Sequence, residues 1–238
     1  MSILKLTAEN RNGRTVISQS EFTSPLKIAN PFYRDDYTEV MMMAASAGIL
    51  DGDEYDIEIT VRENASLKFT AQSYSKIFKA DKTGAKQRVR ITVENGGSLI
   101  YMPCPVIPFA DSVFDSRTEV RLYGDSRFVM TDILACGRTA MKERFAFRSY
   151  RSRTAVYADD KLCFLDNQKL VPSEAELSGI GFFENRSHTG MMYIYGKEPN
   201  ITENDRIEAA VTNACMGMCI RTAGDSADDI WRYFGTLI

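Results

Sequence analysis

The side chains able to do chemistry in this 238-residue chain are few and widely spaced. The single histidine, His188, sits in the polar stretch ENRSHTG, so any Ser/His or Cys/His mechanism has to use it. A solvated loop histidine is the simpler reading. Cys215 and Cys219 lie four apart in CMGMC. If a helix runs through them, their sulfurs share a face beside Met216 and Met218, a soft set suited to a thiophilic ion. No second pair or histidine completes a closed tetrahedral site, and core cysteine is the simpler reading. In AGILDGDEYDIE (47–58), the calcium-loop pattern would need an oxygen ligand at Tyr55 and a glycine at Asp56, so calcium is excluded. DGD then reads as a glycine-containing turn between MMMAASAGIL and YDIEITVRE. Arg138 and Glu143 in CGRTAMKERF form either an exposed turn or a buried pair with a structural duty, because an unpaired buried charge is costly. G-x-S-x-G, H-E-x-x-H, GxGxxG and the phosphate-binding G-x-x-x-x-G-K-[ST] are all absent.

The elements that must position these groups are mostly strands. YDIEITVRE sets Ile57, Ile59 and Val61 on one side and Glu58, Thr60 and Arg62 on the other, and QRVRITVE repeats the pattern with Val89, Ile91 and Val93. Similar runs at LKLTAE, RTVISQSEF, SLKFTAQ, TEVRLYG, RFVMTDIL, RFAFRSYRS, RTAVYAD and KLCFLD are separated by turn chemistry such as RNG, ENGGS and YGDS. About a dozen short strands predict a mainly β protein: a sandwich, a barrel or a coil of stacked sheets. Two helices are expected near the C-terminus. Thr202 to Asp205 fits a capping box before a helical face of Ile207, Ala210, Val211 and Ala214. Ser226 caps a second helix that carries Ile230, Trp231 and Phe234 inward and stops at Gly235. Without a linker or a repeat of fixed period, residues 1–238 read as a single domain.

Net charge is −3 with a pI near 5.4, and the basic residues are spread along the chain, which argues against nucleic-acid binding. Five cysteines without a framework, and an N-terminus unlike a signal peptide, predict a reducing, cytoplasmic setting. No window approaches the roughly 18–20 apolar residues of a membrane helix.

Four segments, taken in order, resemble the urease accessory protein family UreD, called UreH in some organisms. They are SAGILDGDEYDIEI (46–59) with a G-x-x-x-GD turn and FTAQSYSKIFKA (69–80) with T-x-Q-x-x-x-K. GGSLIYMPCPVIPFADS (96–112) follows with L-x-Y-x-P-x-P-x-I-P-F, then ILACGRTAMKERFAFRSYRSR (133–153) with GR-x-A-x-x-E-x-F. KLCFLDNQKLVP (161–172) extends the last segment. Each motif alone is weak, whereas four in register are specific. Lys142 stands where the family commonly has glycine, so the local turn is expected to differ, and a C-terminal helix clipped relative to longer members is expected after Trp231.

The resemblance implies a fold of stacked, helically coiled β-sheets with two helices, and a non-catalytic maturation factor for urease. It implies UreF-like and UreG-like partners, urease apoprotein as the client, and a dimer of heterodimers with UreF as an assembly. GTP hydrolysis then belongs to the UreG-like protein. No cofactor is held permanently, and Ni2+ is cargo in transit through an interior channel. By matched positions, Asp53 and Glu143 are the carboxylates expected to meet the ion, with Asp132 a further candidate and Arg138 a gating partner. Gly48, Gly52, Gln72, Lys76 and Gly137 fall on family motif positions with structural duty. Two readings from other classes compete: a β-helix enzyme acting on carbohydrate through paired acids, and a metal-sequestering protein using CMGMC.

Overall fold

The computed structural model describes residues 1–199, 201 and 204–238. Strand β1 (Ser2–Arg11) turns back at Asn12 and Gly13 into β2 (Arg14–Phe22), and the short β3 (Leu26–Ile28) and β4 (Phe32–Tyr33) lead into β5 (Thr38–Ala44). The chain then winds. One course runs β6 (Glu54–Val61), β7 (Ser66–Ala71), β8 (Ser75–Ile77); the next runs β9 (Ala85–Val93), β10 (Ser98–Met102), β11 (Val106–Pro108); a third begins β12 (Val113–Leu122), β13 (Arg127–Ala135). Strands β1, β6, β9 and β12 stack in parallel on one sheet, while β5, β7, β10 and β13 stack in parallel on the facing one. A short third ladder joins Ile49 to Ile77, β8 to β11, and Val106 to Leu134. The result is a β-solenoid of about four turns, the stacked, helically coiled arrangement that the family resemblance implies.

Alternation holds this coil together because equivalent inward positions superimpose from course to course. Ile59, Ile91 and Val120 share one inward column and face Val40, Phe69, Tyr101 and Met130 of the opposite sheet. Burying such columns removes apolar surface from water at about 25 cal/mol per Å². The courses differ in length, as the unequal steps from Ile57 to Val89 to Thr118 show, and the sequence accordingly has no fixed period.

After β13 comes a single 3-10 turn at Thr139–Met141, then β14 (Ser149–Ala158), which adds in parallel to β12, and β15 (Lys161–Leu170), which adds antiparallel at the edge. β16 (His188–Tyr195), β17 (Ile207–Asn213) and β18 (Met218–Gly224) extend the facing sheet in the order β17-β18-β16-β13. Helix α1 (Ala227–Thr236) lies on that sheet's outer face, where Ile230, Tyr233 and Phe234 pack on Val129, Ile133, Met192, Ile194 and Ile220. Ser226 caps it by accepting the Asp229 N–H at 3.2 Å, as expected, and the helix continues through Gly235 to Thr236.

The other expected helix is corrected. Ile207–Asn213 is strand β17, paired with β18 from Ile207↔Gly224 to Asn213↔Met218. Its Ala209, Ala210 and Val211 are exposed, so the helical spacing there has no buried face to serve, and the open edge of β18 satisfies the backbone instead. Thr202 and Glu203 of the expected capping box lie outside the described residues. Among the described residues no helix is long and apolar enough to cross a membrane.

Candidate functional site: a polar row inside the coil

The inward face of the first sheet is not apolar throughout. Its pairing register aligns Tyr55, Gln87, Ser116, Ser152 and Gln168 on β6, β9, β12, β14 and β15, one behind another across five strands. From the facing sheet comes Asp132, which follows the inward Phe128 and Met130 by the same alternation. Its carboxylate accepts a hydrogen bond from the Ser152 hydroxyl at 3.2 Å, which ties the two sheets together across the interior.

Three cavities adjoin along this row. The first, about 180 Å³, has Gly48, Gln72, Lys76, Tyr55 and Gln87 in its wall. The second, about 50 Å³, shares Met42, Ile57, Ala71, Ser75 and Gln87 with the first and adds Cys104, Ser116, Ser152 and Asp132. The third, about 690 Å³, starts at Asp132 and is lined by Gln168, Lys169, Phe183, Glu208 and Arg221, where the coil opens between β15 and β17. Asp132 belongs to both the narrow cavity and the wide one.

Burial pushes the Asp132 carboxyl up to about 6, and the nearby charge of Asp166 adds to the rise; the Ser152 hydrogen bond and Arg221 oppose it. Arg221 on β18 donates to both carboxylate oxygens of Asp166 on β15, at 2.7 and 3.3 Å, and so bridges the two sheets at the wide end. Tyr101 and Tyr150, whose phenols burial also holds protonated, flank the same region.

The residues singled out by sequence separate into three places. Gly48, Gln72 and Lys76 meet at the first cavity, and a Cβ on Gly48 would stand 2.5 Å from the Lys76 carbonyl oxygen. Asp132 lies deep in the row. The other carboxylates have local duties. Asp53 accepts the Leu50 N–H at 2.8 Å and the Tyr55 hydroxyl at 3.1 Å, which places it behind Tyr55 in the first cavity's wall. Gly52, with φ +83°, makes the turn the sequence predicts. Its other neighbour, Asp51, accepts the N–H groups of Asp81, Lys82, Thr83 and Gly84 at 2.7–3.1 Å, and these bonds lower its pKa despite an opposing desolvation contribution. Glu143 pairs with Arg138 in a two-point contact, one arm at 2.7 Å, and Arg138 stacks 4.3 Å from the centre of the Phe109 ring. This pair is half-exposed, so the open question of its burial resolves toward the surface turn. Gly137 there has φ +144°, and Lys142 takes φ 60°, the left-handed conformation a glycine adopts without strain.

Two further expectations are corrected. CMGMC is a hairpin turn, not a helix: Gly217 has φ +88°, Ala214 donates to the Gly217 carbonyl at 3.1 Å, Cys215 is exposed and Cys219 is buried, so the sulfurs do not share a face. His188 is not a solvated loop residue but the first residue of β16, buried, with Nδ1 2.7 Å from the Ser187 hydroxyl, and burial lowers its pKa. Among the described residues no three of His, Cys, Asp and Glu converge as a metal cage. The polar row itself was missed in the sequence. Its signal is a Gln or Ser at an inward position ahead of the apolar run, one alternation ahead in QRV (87–89) and two, with an intervening Thr, in SRTEV (116–120) and SRTAV (152–156).

Fold and site together define a β-solenoid protein with its convergent polar groups enclosed between the sheets. The chain belongs to the UreD urease accessory protein family, whose model matches residues 2–238. It is 38% identical to the urease accessory protein UreD of Acetivibrio thermocellus over 95% of this chain and 92% of that protein. It is 33% identical to UreH of Helicobacter hepaticus over 93% and 87%, and 28% identical to UreH of Helicobacter pylori strain P12 over 92% and 86%.

Proposed function

We propose that this chain is a non-catalytic urease maturation factor that passes Ni2+, as cargo, along its interior row to urease apoprotein. A UreF-like partner and a UreG-like GTPase assemble with it, and the latter supplies nucleotide hydrolysis. Family membership supports the urease role. The observation that carries the transit reading is Asp132, a carboxylate common to the narrow and wide cavities, with neutral oxygen donors on its narrow side and the Arg221–Asp166 pair on its wide side. A passing cation needs oxygen ligands strong enough to replace part of its water shell and too few to close a cage that would hold it. The row offers one anionic donor with Ser116, Ser152 and Gln168 beside it. Above about pH 6 Asp132 is mostly ionised and attracts a cation; below that it is mostly neutral and does not.

The test is activation of urease apoprotein by the assembled accessory complex with Asp132→Asn and Asp132→Leu, with docking scored in parallel by pull-down. Retained docking with activation reduced about tenfold or more supports transit. Full activation by Asp132→Leu would remove Asp132 from the path, and lost docking would mean that the residue serves the fold.

A further inference from the structure

The outer face of the first sheet carries a charge pattern that neither the coil nor the interior row explains. Arg88 on β9, Arg117 on β12 and Arg153 on β14 stand in one row, because the register pairs Arg88↔Arg117 and Arg117↔Arg153. Adjacent strands lie about 4.8 Å apart, so three guanidinium stems emerge in line at that spacing. Arg151 projects from the same face of β14. All four are exposed. Arg117 has Asp115 at 3.3 Å, and Arg88 has Asp56 as its cross-strand neighbour on β6, although Asp56 pairs with Arg90; among the described residues Arg88, Arg151 and Arg153 have no carboxylate within 4.0 Å.

Like charges on neighbouring rungs repel, and the neighbouring row shows how the same sheet avoids this. There Glu58, Arg90 and Glu119 alternate in sign across β6, β9 and β12; Arg90 pairs with Glu58 at 3.2 Å and with Asp56 at 3.0 Å. The unmatched row is not a by-product of a basic chain, since the net charge is −3. The charges of Arg88 and Arg153, and the part of Arg117 that Asp115 leaves uncompensated, are therefore available to an external anion.

We propose that the Arg88, Arg117, Arg153 row is a docking surface for an acidic helix of a partner protein. Carboxylates placed four residues apart on a helix are separated by about 5–6 Å, close to the rung spacing of the row, so one helix face can meet all three guanidinium groups. Each contact has the geometry of a charge-assisted arginine–carboxylate hydrogen bond. A nucleic-acid strand fits less well, because three rungs span only about 10 Å on a chain of net charge −3, a short footprint for a continuous line of phosphates. This surface is independent of the interior row, and its failure would leave the nickel reading untouched.

The experiment uses the full chain and three probes followed by fluorescence anisotropy at low and physiological salt. They are an alanine-rich helical peptide with glutamate at every fourth position, a peptide of the same composition with its glutamates in one block, and a DNA duplex of about 20 base pairs. The expected result is preferential binding of the spaced helix, weakened by salt, and lost about tenfold or more in Arg88→Glu/Arg117→Glu/Arg153→Glu. Circular dichroism establishes that this variant is folded, and the milder Arg88→Gln/Arg153→Gln should show a partial loss. Undiminished binding by both folded variants, equal binding of the two peptides, or tighter binding of the duplex overturns the proposal.

Discussion

Asp132 and Glu143 are both carboxylates in segments that resemble the same family, and they sit only a short way apart in the chain, yet their surroundings oppose each other. Glu143 is on a surface turn, locked to Arg138, and that pairing holds its carboxyl below the usual range. Asp132 is enclosed between the sheets, receives one hydroxyl, and is pushed up to about 6. A carboxylate already neutralised by a guanidinium has little to offer an arriving cation, whereas a buried one without an ion-pair partner of its own gains from it. On the transit reading proposed above, the difference favours the interior over the Arg138–Glu143 turn as the place where a cation would be met.

Four variants break or sharpen this contrast. The largest effect is expected from Gly137→Val in the turn. The added Cβ would stand 2.8 Å from the Glu143 carbonyl oxygen at φ +144°, and thermal melting should register a loss of about 2–4 kcal/mol. Asp132→Asn should act in the opposite direction. Because the folded-state pKa is raised, the native protein binds the extra proton between the ordinary carboxylate range and about 6, so its own stability falls as pH rises through that window. The amide removes that penalty, so at neutral pH the variant should be more stable by something on the order of 1–3 kcal/mol, and the gain should vanish by about pH 4 in denaturant titrations. If the gain persists unchanged at that pH, its source is not the buried charge.

Lys142→Gly comes next, with stabilisation of about 1 kcal/mol from relief of the left-handed backbone, read as a rise in melting temperature with urease activation unchanged. Glu143→Gln should produce the smallest change, since solvent screens a half-exposed pair. Its sign with pH differs from that of Asp132. The lowered pKa of Glu143 gives stability that is present above the ordinary carboxylate range and lost as pH falls through the folded value, so wild type and variant should converge in acid. A larger loss of activation for Glu143→Gln than for Asp132→Asn, with both proteins docked, would invert the assignment of roles.

Much of the fold was legible because alternation is a local property. Ile57, Ile59 and Val61, or Val89, Ile91 and Val93, can bury one side only as strands, and Ser226 with Asp229 sets a helix start whatever surrounds it. The spacing from Ile207 suits a helix, but the turn at 214–217 folds the segment back on β18 as an antiparallel hairpin, and that pairing decides for a strand. Lys142 takes the left-handed backbone at φ 60°, a region that glycine occupies without strain.

The candidate site divides the same way. By itself the sequence determined strands, turns, the motif order that resembles UreD, and the presence of carboxylates at 53, 132 and 143. Only the tertiary structure decided which of those carboxylates lies inside. Enclosure depends on the stacking of Gln87, Ser116 and Ser152 from successive courses and on a facing strand that aims Asp132 at them, and both are set by registers between segments tens of residues apart. The same long-range registers align Arg88, Arg117 and Arg153, which the linear chain keeps well separated.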